Sequence, residues 1–527
     1  MTNTEKRTWR IGIDVGGTNT DAVIINGDLE VVAAAKSPTT EDVISGIRNA
    51  MHEVISQVGA DAVHSIGHAM LGTTHCTNAI VERKRLAKVA AMRIGKPATT
   101  AISCMADWPQ ELKDAMQVES FIVHGGHEFN GQEISPLDEQ EIRDIAKVVA
   151  ERGFASIAVT SVFSPVTDAH EARAAAILRE ELGPDFPVTL SSEIGSLGFL
   201  ERENASILNA ALKDVAMAIA TSFEEALVDE GLTDVAMYLG QNDGTLMSAE
   251  YVKRYPIFTI ACGPTNSIRG ASFLTKADNA IVVDIGGTTT DVGVLTNGFP
   301  RESMVAVKIG DVRTNFRMPD LFSIGLGGGS IVRQGEDGRV TVGPDSVGYL
   351  VTKKALCFGG DTLTATDIVV AKGLAEGVGD PQKVAHLDGA LVDASFAEIK
   401  RLIEDAVDAM KTSAGDALVV LVGGGSILAP AHLAGASEVL KPGNFGVANA
   451  IGSAIAQISG TTTKVYSLAE ISRVDALADA KARACEQAIK AGANPETVEV
   501  LEIEDIPMAY LGDALCIRAK AVGDLQI

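Results

Sequence analysis

Two short segments of the chain combine aspartate, glycine and threonine in almost the same order. DVGGTNTD begins at Asp14 and DIGGTTTD begins at Asp284, and six of the eight positions are identical. The identical pairs are Asp14/Asp284, Gly16/Gly286, Gly17/Gly287, Thr18/Thr288, Thr20/Thr290 and Asp21/Asp291. Apolar, β-branched residues flank both copies, which predicts two β-hairpins that are each closed by a glycine turn.

The residue types of each turn suit the binding of phosphate and metal. Paired glycines allow φ > 0 and let a ligand approach the backbone where no Cβ stands in the way. Successive N–H groups of such a turn point into one concavity, and the leading aspartate is a hard oxygen ligand for Mg²⁺. A single copy could be an ordinary tight turn. Two matched copies favour a pair of loops that clamp a polyphosphate from both sides, with the metal between them.

Two further glycine-rich turns follow apolar runs. FSIGLGGGSIV contains Gly327 and Gly328, and LVVLVGGGSIL contains Gly423, Gly424, Gly425 and Ser426. Each could be a close-packed turn between a strand and a helix, or it could contact a ligand in the same cleft.

The composition limits the class of protein. The chain has 527 residues, 46% apolar and 4% aromatic, which is typical of α/β enzymes. A formal charge of −25 argues against nucleic acid as a partner. The six cysteines form no CxxC pair and are predicted to be reduced thiols. The N-terminal segment has no apolar signal region, and glycines interrupt the most apolar run, so we expect a cytoplasmic protein without a membrane span.

The chain divides into two related α/β halves, each opening with one hairpin and packed against the other around a cleft. We predict a first half over residues 1–190, a second over 191–465, and a small C-terminal α+β appendix over 466–527, which contains one helix and two strands.

Several segments resemble one known family. The chain is similar to the actin, sugar-kinase and heat-shock-chaperone ATPase superfold, and more specifically to the A-type, ATP-binding subunit of the hydantoinase/oxoprolinase family. The resemblance covers roughly residues 8 to 525. One departure is Leu71, where the family's usual segment has a histidine before GTT. The segments that carry the resemblance are IGIDVGGTNTDAVI, GTTHCTNAIVER, ISPLDE, SSEIG, LERENASILNA, ACGPTNSIRGA, VVDIGGTTTDV, SIGLGGGSI, VGPDSVG, LTATD and the late GGGSI.

The resemblance implies two ribonuclease-H-like halves and a reaction that consumes ATP with Mg²⁺. Family members open lactams, hydantoins or 5-oxoproline by phosphorylating an amide carbonyl, and relatives carboxylate ketones. Gly16, Gly17, Thr18 and Thr20 would hold one side of the triphosphate, and Gly286, Gly287, Thr288 and Thr289 the other. Asp14 and Asp284 would position Mg²⁺. The turn from Gly423 to Ser426 would contact the adenosine, and Gly327 with Gly328 would line the cleft.

Other residues are candidates with open alternatives. Asp291 and Asp21 could each be a base, a carboxylate behind the metal, or only a hydrogen-bond partner within the hairpin. His75 is a candidate general acid or base beside Thr73, Thr74, Cys76 and Asn78, or else a structural histidine. His124 and His127 could share a metal ion or bond only to backbone. The helix from Cys262 to Ser267 could offer its N–H groups to an anion, or Thr265 could simply cap it.

Three functions remain open from the sequence. The leading hypothesis is an ATP-dependent ring-opening amidohydrolase acting on a small cyclic amide or imide. A sugar-type kinase and an ATP-dependent switch protein are the alternatives. The resemblance also implies a B-type hydantoinase subunit on a separate chain, and we expect an oligomer.

Overall fold

A computed structural model describes residues 7–38, 43–303, 307–508 and 513–526. The strands are β1 Trp9–Val15, β2 Asn19–Ile25, β3 Val31–Pro38, β4 Ile66–Thr73, β5 Val89–Lys96, β6 Glu119–His124, β7 Ser156–Ser161, β8 Val188–Leu190, β9 Ala236–Gly240, β10 Leu246–Ser248, β11 Ala280–Ile285, β12 Thr290–Thr296, β13 Phe299–Pro300, β14 Val307–Ile309, β15 Val312–Thr314, β16 Leu321–Ile324, β17 Ser330–Gln334, β18 Val340–Ser346, β19 Ala417–Val422, β20 Ala436–Leu440, β21 Ile458–Ser467, β22 Glu499–Pro507 and β23 Ala514–Gly523.

Helices alternate with these strands through most of the chain. They are α1 Val43–Ile55, α2 Ala60–His64, α3 His75–Val81, α4 Gln110–Met116, α5 Glu139–Arg152, α6 Ala169–Leu182, α7 Phe199–Ala211, α8 Lys213–Asp229, α9 Ala249–Arg254, α10 Cys262–Thr275, α11 Val351–Lys354, α12 Ala365–Ala371, α13 Gly389–Met410, α14 Ala448–Ile455 and α15 Arg473–Lys490. The prediction of an α/β protein is confirmed. Within the described ranges, no helix is long and apolar enough to span a membrane.

Two large sheets repeat one strand order. The first sheet runs β22-β23-β21-β10-β9-β4-β1-β2-β3, and the second runs β13-β12-β11-β19-β20 with β16 also paired to β12. β1 is antiparallel to β2 and parallel to β4, as β11 is to β12 and β19. The unit β3-β2-β1-β4-β9 is therefore repeated as β13-β12-β11-β19-β20, which agrees with the two related halves predicted from the hairpins.

The chain passes between the two sheets twice. α10 leads from the first sheet into β11, and α14 leads from β20 back to the first sheet through β21. The elements predicted for the appendix form as α15, β22 and β23, and their strands extend the first sheet. Strands of the first sheet thus come from all three predicted segments. The boundaries at 190 and 465 stay a prediction, because strand pairing alone does not define a folding unit.

Each sheet buries its own apolar core. Ile11, Ile13 and Ile24 are fully buried in the first core, and Val283 and Ile399 are fully buried in the second. β5 to β8 form a separate four-stranded parallel sheet, in the order β6-β5-β7-β8, with its own core under α5 and α6.

α10 and α14 cross between the two sheets at two glycines. A Cβ placed on Gly270 would lie 1.9 Å from the Ala448 carbonyl oxygen, and one on Gly452 would lie 1.8 Å from the Asn266 carbonyl oxygen. α14 packs on the first sheet through Ala450 and Ala454, while α10 packs on the second through Ile268 and Ala271. The glycines therefore set the separation of the two helices and, through them, of the two sheets.

We expect Gly452→Ala to destabilise the protein strongly. The added methyl group cannot fit without moving α14 away from α10, and overpacking of this kind costs about 1–3 kcal/mol or more. The measurement is the free energy of unfolding in urea. Gly389→Ala is the control, because a Cβ there meets no atom within 4 Å. Equal stability of the two variants would contradict the crossing described here.

Candidate active site

The two repeated segments form hairpins with identical registers. Asp14 lies opposite Asp21 in the first hairpin, and Asp284 lies opposite Asp291 in the second. The turns close in the same way, since the Gly16 N–H donates to the Asn19 carbonyl at 3.0 Å and the Gly286 N–H donates to the Thr289 carbonyl at 2.9 Å. The predicted pair of hairpins is confirmed.

The two turns meet across the cleft between the sheets. A Cβ on Gly287 would lie 2.6 Å from Thr18 Oγ1, and a Cβ on Gly17 would meet no atom within 4 Å. None of Gly16, Gly17, Gly286 and Gly287 has a φ in the left-handed region. The expectation of φ > 0 at these glycines is therefore wrong. Position 287 requires glycine because Thr18 approaches it closely. Gly17 instead borders open space.

Asp14 is buried at the carboxyl end of β1, where two amides hold it. The Asn266 side-chain amide donates to Oδ1 at 3.1 Å, and the Asn449 amide donates to Oδ2 at 3.0 Å. Burial raises the pKa of Asp14 to about 6, and the charge of Asp21 adds to this effect. Asn266 belongs to α10 and Asn449 to α14, so both crossing helices position this carboxylate.

Asp284 occupies the equivalent place in the second hairpin and is half-buried. The Ser267 hydroxyl donates to its Oδ2 at 2.5 Å. Burial, together with the charges of Asp291 and Asp14, raises the pKa of Asp284 to about 7. Neighbouring positions of α10, Asn266 and Ser267, thus bind one aspartate from each hairpin. Two carboxylates that repel each other in a buried cleft are a donor set that a divalent cation fits.

The second aspartate of each hairpin has a local partner. Asp21 forms an ion pair with Lys36 Nζ at 2.5 Å, and Asp291 accepts a hydrogen bond from the Ser323 hydroxyl. Burial raises the pKa of both carboxyls. A direct role for either one stays a prediction.

The threonines differ in position. Thr18 and Thr288 are half-buried, Thr289 is exposed, and Thr20 is fully buried between strands. The Thr290 hydroxyl, equivalent to that of Thr20, donates to the Leu326 carbonyl at 2.7 Å. Thr18, Thr288 and Thr289 therefore lie where a ligand in the cleft could reach them, whereas Thr20 lies inside the fold.

The turn at Gly423 packs against the second hairpin. Gly423 has a φ of +84°, and a Cβ there would lie 2.1 Å from Asp284 Oδ1. Gly425 lies against the Gly286 carbonyl, and Ser426 is buried with its hydroxyl bonded to the Val422 carbonyl. Gly424 leaves open space, with only Lys36 near it at 3.9 Å. Of this turn, Gly424 has the most room for a ligand.

The turn at Gly327 supports the second hairpin from behind. The N–H groups of Gly328 and Gly329 donate to the carbonyls of Gly286 and Gly287 at 3.0 and 2.7 Å. A Cβ on Gly327 would lie 2.5 Å from the backbone of Gly287. Contact of Gly327 or Gly328 with a ligand stays a prediction, and their visible role is to fix the hairpin.

Lys36 is a site residue that sequence reasoning missed. It stands at the end of β3, opposite Asp21, and its side chain extends from the first sheet towards Gly424 and Gly446 of the second half. The side chain is 35% exposed, so the ammonium group faces the cleft. The lysine lies in no motif, and only the register of β2 with β3 places it beside Asp21.

His75 lies at the start of α3, close to the first hairpin. One ring nitrogen contacts the Thr73 hydroxyl, and the Thr73 N–H and carbonyl both contact Cys262 Sγ. Burial lowers the pKa of His75 to about 4, and Arg85 contributes. The ring is therefore uncharged at neutral pH and cannot serve there as an imidazolium acid. Cys76 is buried, and burial raises the pKa of its thiol to about 11. All six cysteines are free thiols, as predicted.

The structure separates His124 from His127, for which a shared metal ion was one of two open alternatives. His124 is exposed and contacts Glu141 at 3.2 Å, whereas His127 is buried and lies against the ring of His170. His127, Glu133 and His170 group together. His170 Nδ1 accepts the Gly126 N–H at 3.0 Å, so Nε2 carries the proton that it shares with Glu133 at 3.2 Å. That tautomer leaves no lone pair on Nε2 for a metal, so His170 and Glu133 are a hydrogen-bonded pair with the His127 ring beside them.

Thr265 does not cap α10, which corrects the capping alternative. The helix begins at Cys262 after Ala261, with no side-chain cap, and the Thr265 hydroxyl donates to the Cys262 carbonyl at 2.8 Å. The residues of ACGPTNS that reach the hairpins are instead Asn266, which donates to Asp14, and Ser267, which donates to Asp284.

The raised pKa of Asp284 predicts a pH effect on stability. Its ordinary pKa is 3.8 and its folded pKa is about 7, so the folded chain binds this proton more tightly than the unfolded chain. The stability contributed by the group is present below about pH 4 and is lost as pH rises through about 7. We therefore compare the melting temperatures of the wild type and Asp284→Asn in metal-free buffer. The difference, wild type minus variant, should fall as pH rises from about 4 to about 7. Scanning calorimetry at several pH values measures it, and a difference independent of pH would contradict the assigned pKa.

Comparisons with known proteins agree with this architecture. The family model described as Hydantoinase/oxoprolinase N-terminal region matches residues 10–182, and the one described as Hydantoinase/oxoprolinase matches residues 202–411. The acetophenone carboxylase gamma subunit of Aromatoleum aromaticum is 27% identical over 392 residues, covering 69% of this chain and 53% of the relative. The caprolactamase subunit alpha of Pseudomonas jessenii is 25% identical over 457 residues, covering 79% of this chain and 60% of the relative.

The fold is also found in a solved structure. The crystal structure of the ATP-dependent caprolactamase from Pseudomonas jessenii matches with a TM-score of 0.74 at 19% identity, covering 98% of this chain and 88% of that one. This chain spans little more than half the length of the two curated relatives. The two family models together cover both hairpins and the crossing helix α10, and with the shared fold they show that the chain belongs to the hydantoinase/oxoprolinase family.

Proposed function

We propose that this chain binds ATP and Mg²⁺ between its two hairpins and uses them to phosphorylate the carbonyl oxygen of a cyclic amide, so that water can open the ring. The observation that carries the proposal is the matched pair of hairpins. They have the same register, they touch through Thr18 and Gly287, and one helix holds an aspartate from each.

The residues present suit a triphosphate. Gly17 and Gly424 leave open space on opposite sides of the cleft, and the hairpin turns offer backbone N–H groups there. Lys36 brings a positive charge to the same space. Asp14 and Asp284 would hold Mg²⁺, which when bound neutralises charge on the phosphates. The protein's own contribution is to hold these groups in place before the ligand arrives.

The chemistry explains why a hydrolase would need ATP. An amide carbonyl is a poor electrophile, and its nitrogen is a poor leaving group. Moving a phosphoryl group onto the carbonyl oxygen makes the carbon a better target for water. The enzyme must align the phosphoryl group with that oxygen and stabilise the charge that develops. The half-buried residues Thr74 and His75, which follow the buried Thr73, lie next to the first hairpin and are the part of the cleft that we assign to the substrate.

A second candidate substrate class is a ketone. One relative is named a carboxylase of acetophenone, a ketone, and another a caprolactamase, whose name refers to a cyclic amide. Both compounds contain a carbonyl oxygen that phosphorylation would activate. We favour the cyclic amide because the caprolactamase subunit aligns with 79% of this chain and the acetophenone carboxylase subunit with 69%.

We further propose that a separate chain completes the enzyme. Both curated relatives are named as subunits, and this chain spans 53% and 60% of their lengths. A B-type hydantoinase subunit would be the partner, in a cytoplasmic oligomer.

Gly17→Ala tests the phosphate loop without disturbing the fold. A Cβ at Gly17 meets no atom within 4 Å, so the melting temperature should not change. If phosphate lies against this glycine, the methyl group blocks it and the Kd for Mg²⁺·ATP rises at least about tenfold, or ~1.4 kcal/mol. Gly59→Ala is the matched control, because its Cβ is equally free and lies outside the hairpins. Unchanged ATP affinity in Gly17→Ala would remove the loop from the nucleotide site.

The decisive assay is phosphate release from Mg²⁺·ATP with a panel of hydantoins, 5-oxoproline, lactams, ketones and sugars. We expect release coupled to a ring-opened acid, detected by its mass, from the chain alone or with a B-type subunit added. A phosphorylated sugar would make the protein a kinase. Release stimulated only by a protein would make it a switch, and a carboxylated ketone would select the second candidate. Failure to bind ATP would refute the proposal.

A further inference from the structure

A second cavity of about 900 Å³ lies on the other side of α10 from the aspartate pair. Thr265 of α10 bonds to the Gln241 carbonyl on this side, and Arg269 stacks on Phe299, which lines the cavity. None of the turn residues 16–20, 286–290 or 423–426 lines it. The cavity is therefore separate from the hairpin cleft, and the proposed nucleotide site does not explain it.

The floor of this cavity is one face of the appendix sheet. Along β23, Ile517, Ala519 and Ala521 face α15, whose buried alanines repeat every four residues, while Arg518 and Lys520 face the other way. Strand pairing places Arg518 between Thr463 and Glu504. It places Lys520 between Thr461 and Glu502. Such a charged sheet face ordinarily meets water. Here Lys520 is buried, at 3% exposure, while Arg518 is half-buried and Glu502 is exposed at the rim.

The walls come from segments that the nucleotide site leaves unused. They include residues 192–196, which overlap the SSEIG motif, the turn from Gln241 to Asp243, and the segment from Phe299 to Ser303. Lys520 bridges two of these walls, with Asp243 at 2.8 Å and Glu302 at 3.1 Å. Six basic and six acidic side chains line the cavity, although the whole chain has 44 basic and 69 acidic residues. The lining thus has balanced charge within a strongly acidic protein.

Two groups in the lining lack a strong partner. Gln241 is 8% exposed, and its Oε1 accepts no hydrogen bond within the described part of the chain. Buried acceptors of this kind are normally satisfied, so the oxygen calls for an N–H or O–H donor from a ligand or water. Among the residues that the structure describes, the guanidinium of Arg518 forms one long ion pair, 3.9 Å to Glu504. Its paired N–H groups can therefore turn to a carboxylate.

We propose that this cavity binds a small zwitterion, an amino acid whose ammonium group donates to Gln241 Oε1 and whose carboxylate lies on Arg518. The inference rests on the proposed function for its choice of ligand. Hydrolysis of a cyclic amide breaks the C–N bond, adds the oxygen of water to the carbonyl carbon and leaves the nitrogen protonated. The product carries one ammonium and one carboxylate on the same molecule, which matches a lining of balanced charge with a free acceptor and a free guanidinium.

The test is calorimetric titration of the purified chain with 6-aminohexanoate and 5-aminopentanoate, without nucleotide. Hexanoate and hexylamine carry one of the two charges each and serve as ligand controls. We expect saturable binding of an amino acid, with the singly charged analogues about tenfold weaker or more, because one charged hydrogen bond is lost. Arg518→Gln should weaken binding by about the same factor. Arg473→Gln is the matched control, since Arg473 lies in the same appendix, pairs with Asp505 and does not line the cavity.

Each result decides the question. No binding of either amino acid, or unchanged affinity in Arg518→Gln, overturns the proposal. Displacement of the amino acid by ATP also overturns it, because the ligand would then lie between the hairpins. If circular dichroism shows that Arg518→Gln does not fold, Arg518→Lys replaces it. This variant keeps the charge but loses the paired N–H groups. Unchanged affinity for the amino acid in Arg518→Lys would also overturn the proposal. ATP binding is titrated on the same protein, so that failure of the cavity and failure of the nucleotide site are recorded separately.

Discussion

The crossing of α10 and α14 is the constraint on which the rest of the molecule depends. The chain passes from one sheet to the other along these two helices. Their backbones touch at Gly270 and Gly452, because neither glycine has a side chain to hold them apart. No larger residue fits at either point. Because α14 packs on the first sheet and α10 on the second, the separation of these helices fixes how far apart the two hairpins stand. The contact of Thr18 with Gly287 follows from that spacing.

The same crossing brings like charges together and keeps them there. Asn266 and Asn449 hold Asp14 from the two helices, and Ser267 holds Asp284. Asp14 is buried and Asp284 is half-buried, so the charged form of each is disfavoured and the two pKa values rise towards neutrality. Hydrogen bonds from amides and a hydroxyl relieve this cost only in part, because these donors carry no net charge. An arrangement that is unfavourable when empty and favourable around a cation is what a binding site requires.

Much of the fold and part of the site could be predicted from the sequence, since the signals are local. The hairpins follow from glycine turns between apolar strands, and their repetition gave the two halves. Packing overturned one expectation and decided against two alternatives that the sequence had left open. Gly287 is needed for the approach of Thr18 and not for its φ, Thr265 does not cap α10, and His124 and His127 point to different neighbours. Lys36 could not be found, because only the pairing of β2 with β3 brings it to Asp21.

The first sheet contributes residues to the hairpin cleft on one side of α10 and, through the appendix strands, to the cavity on the other. β21 and β23 continue the sheet that begins with the first hairpin, and Gly460 lets α15 lie close against them, since a Cβ there would stand 2.0 Å from the Ala488 nitrogen. With its apolar face sealed by α15, the sheet presents its charged face to the second half, where Lys520 meets Glu302. The two halves are therefore joined by a helix crossing at the hairpins, by an ion pair at the cavity, and by β14 and β15, whose Ile309 and Val312 are buried in the first core. Lys520 is buried and binds Asp243 beside the first sheet as well as Glu302, so its ammonium group links the appendix to both halves.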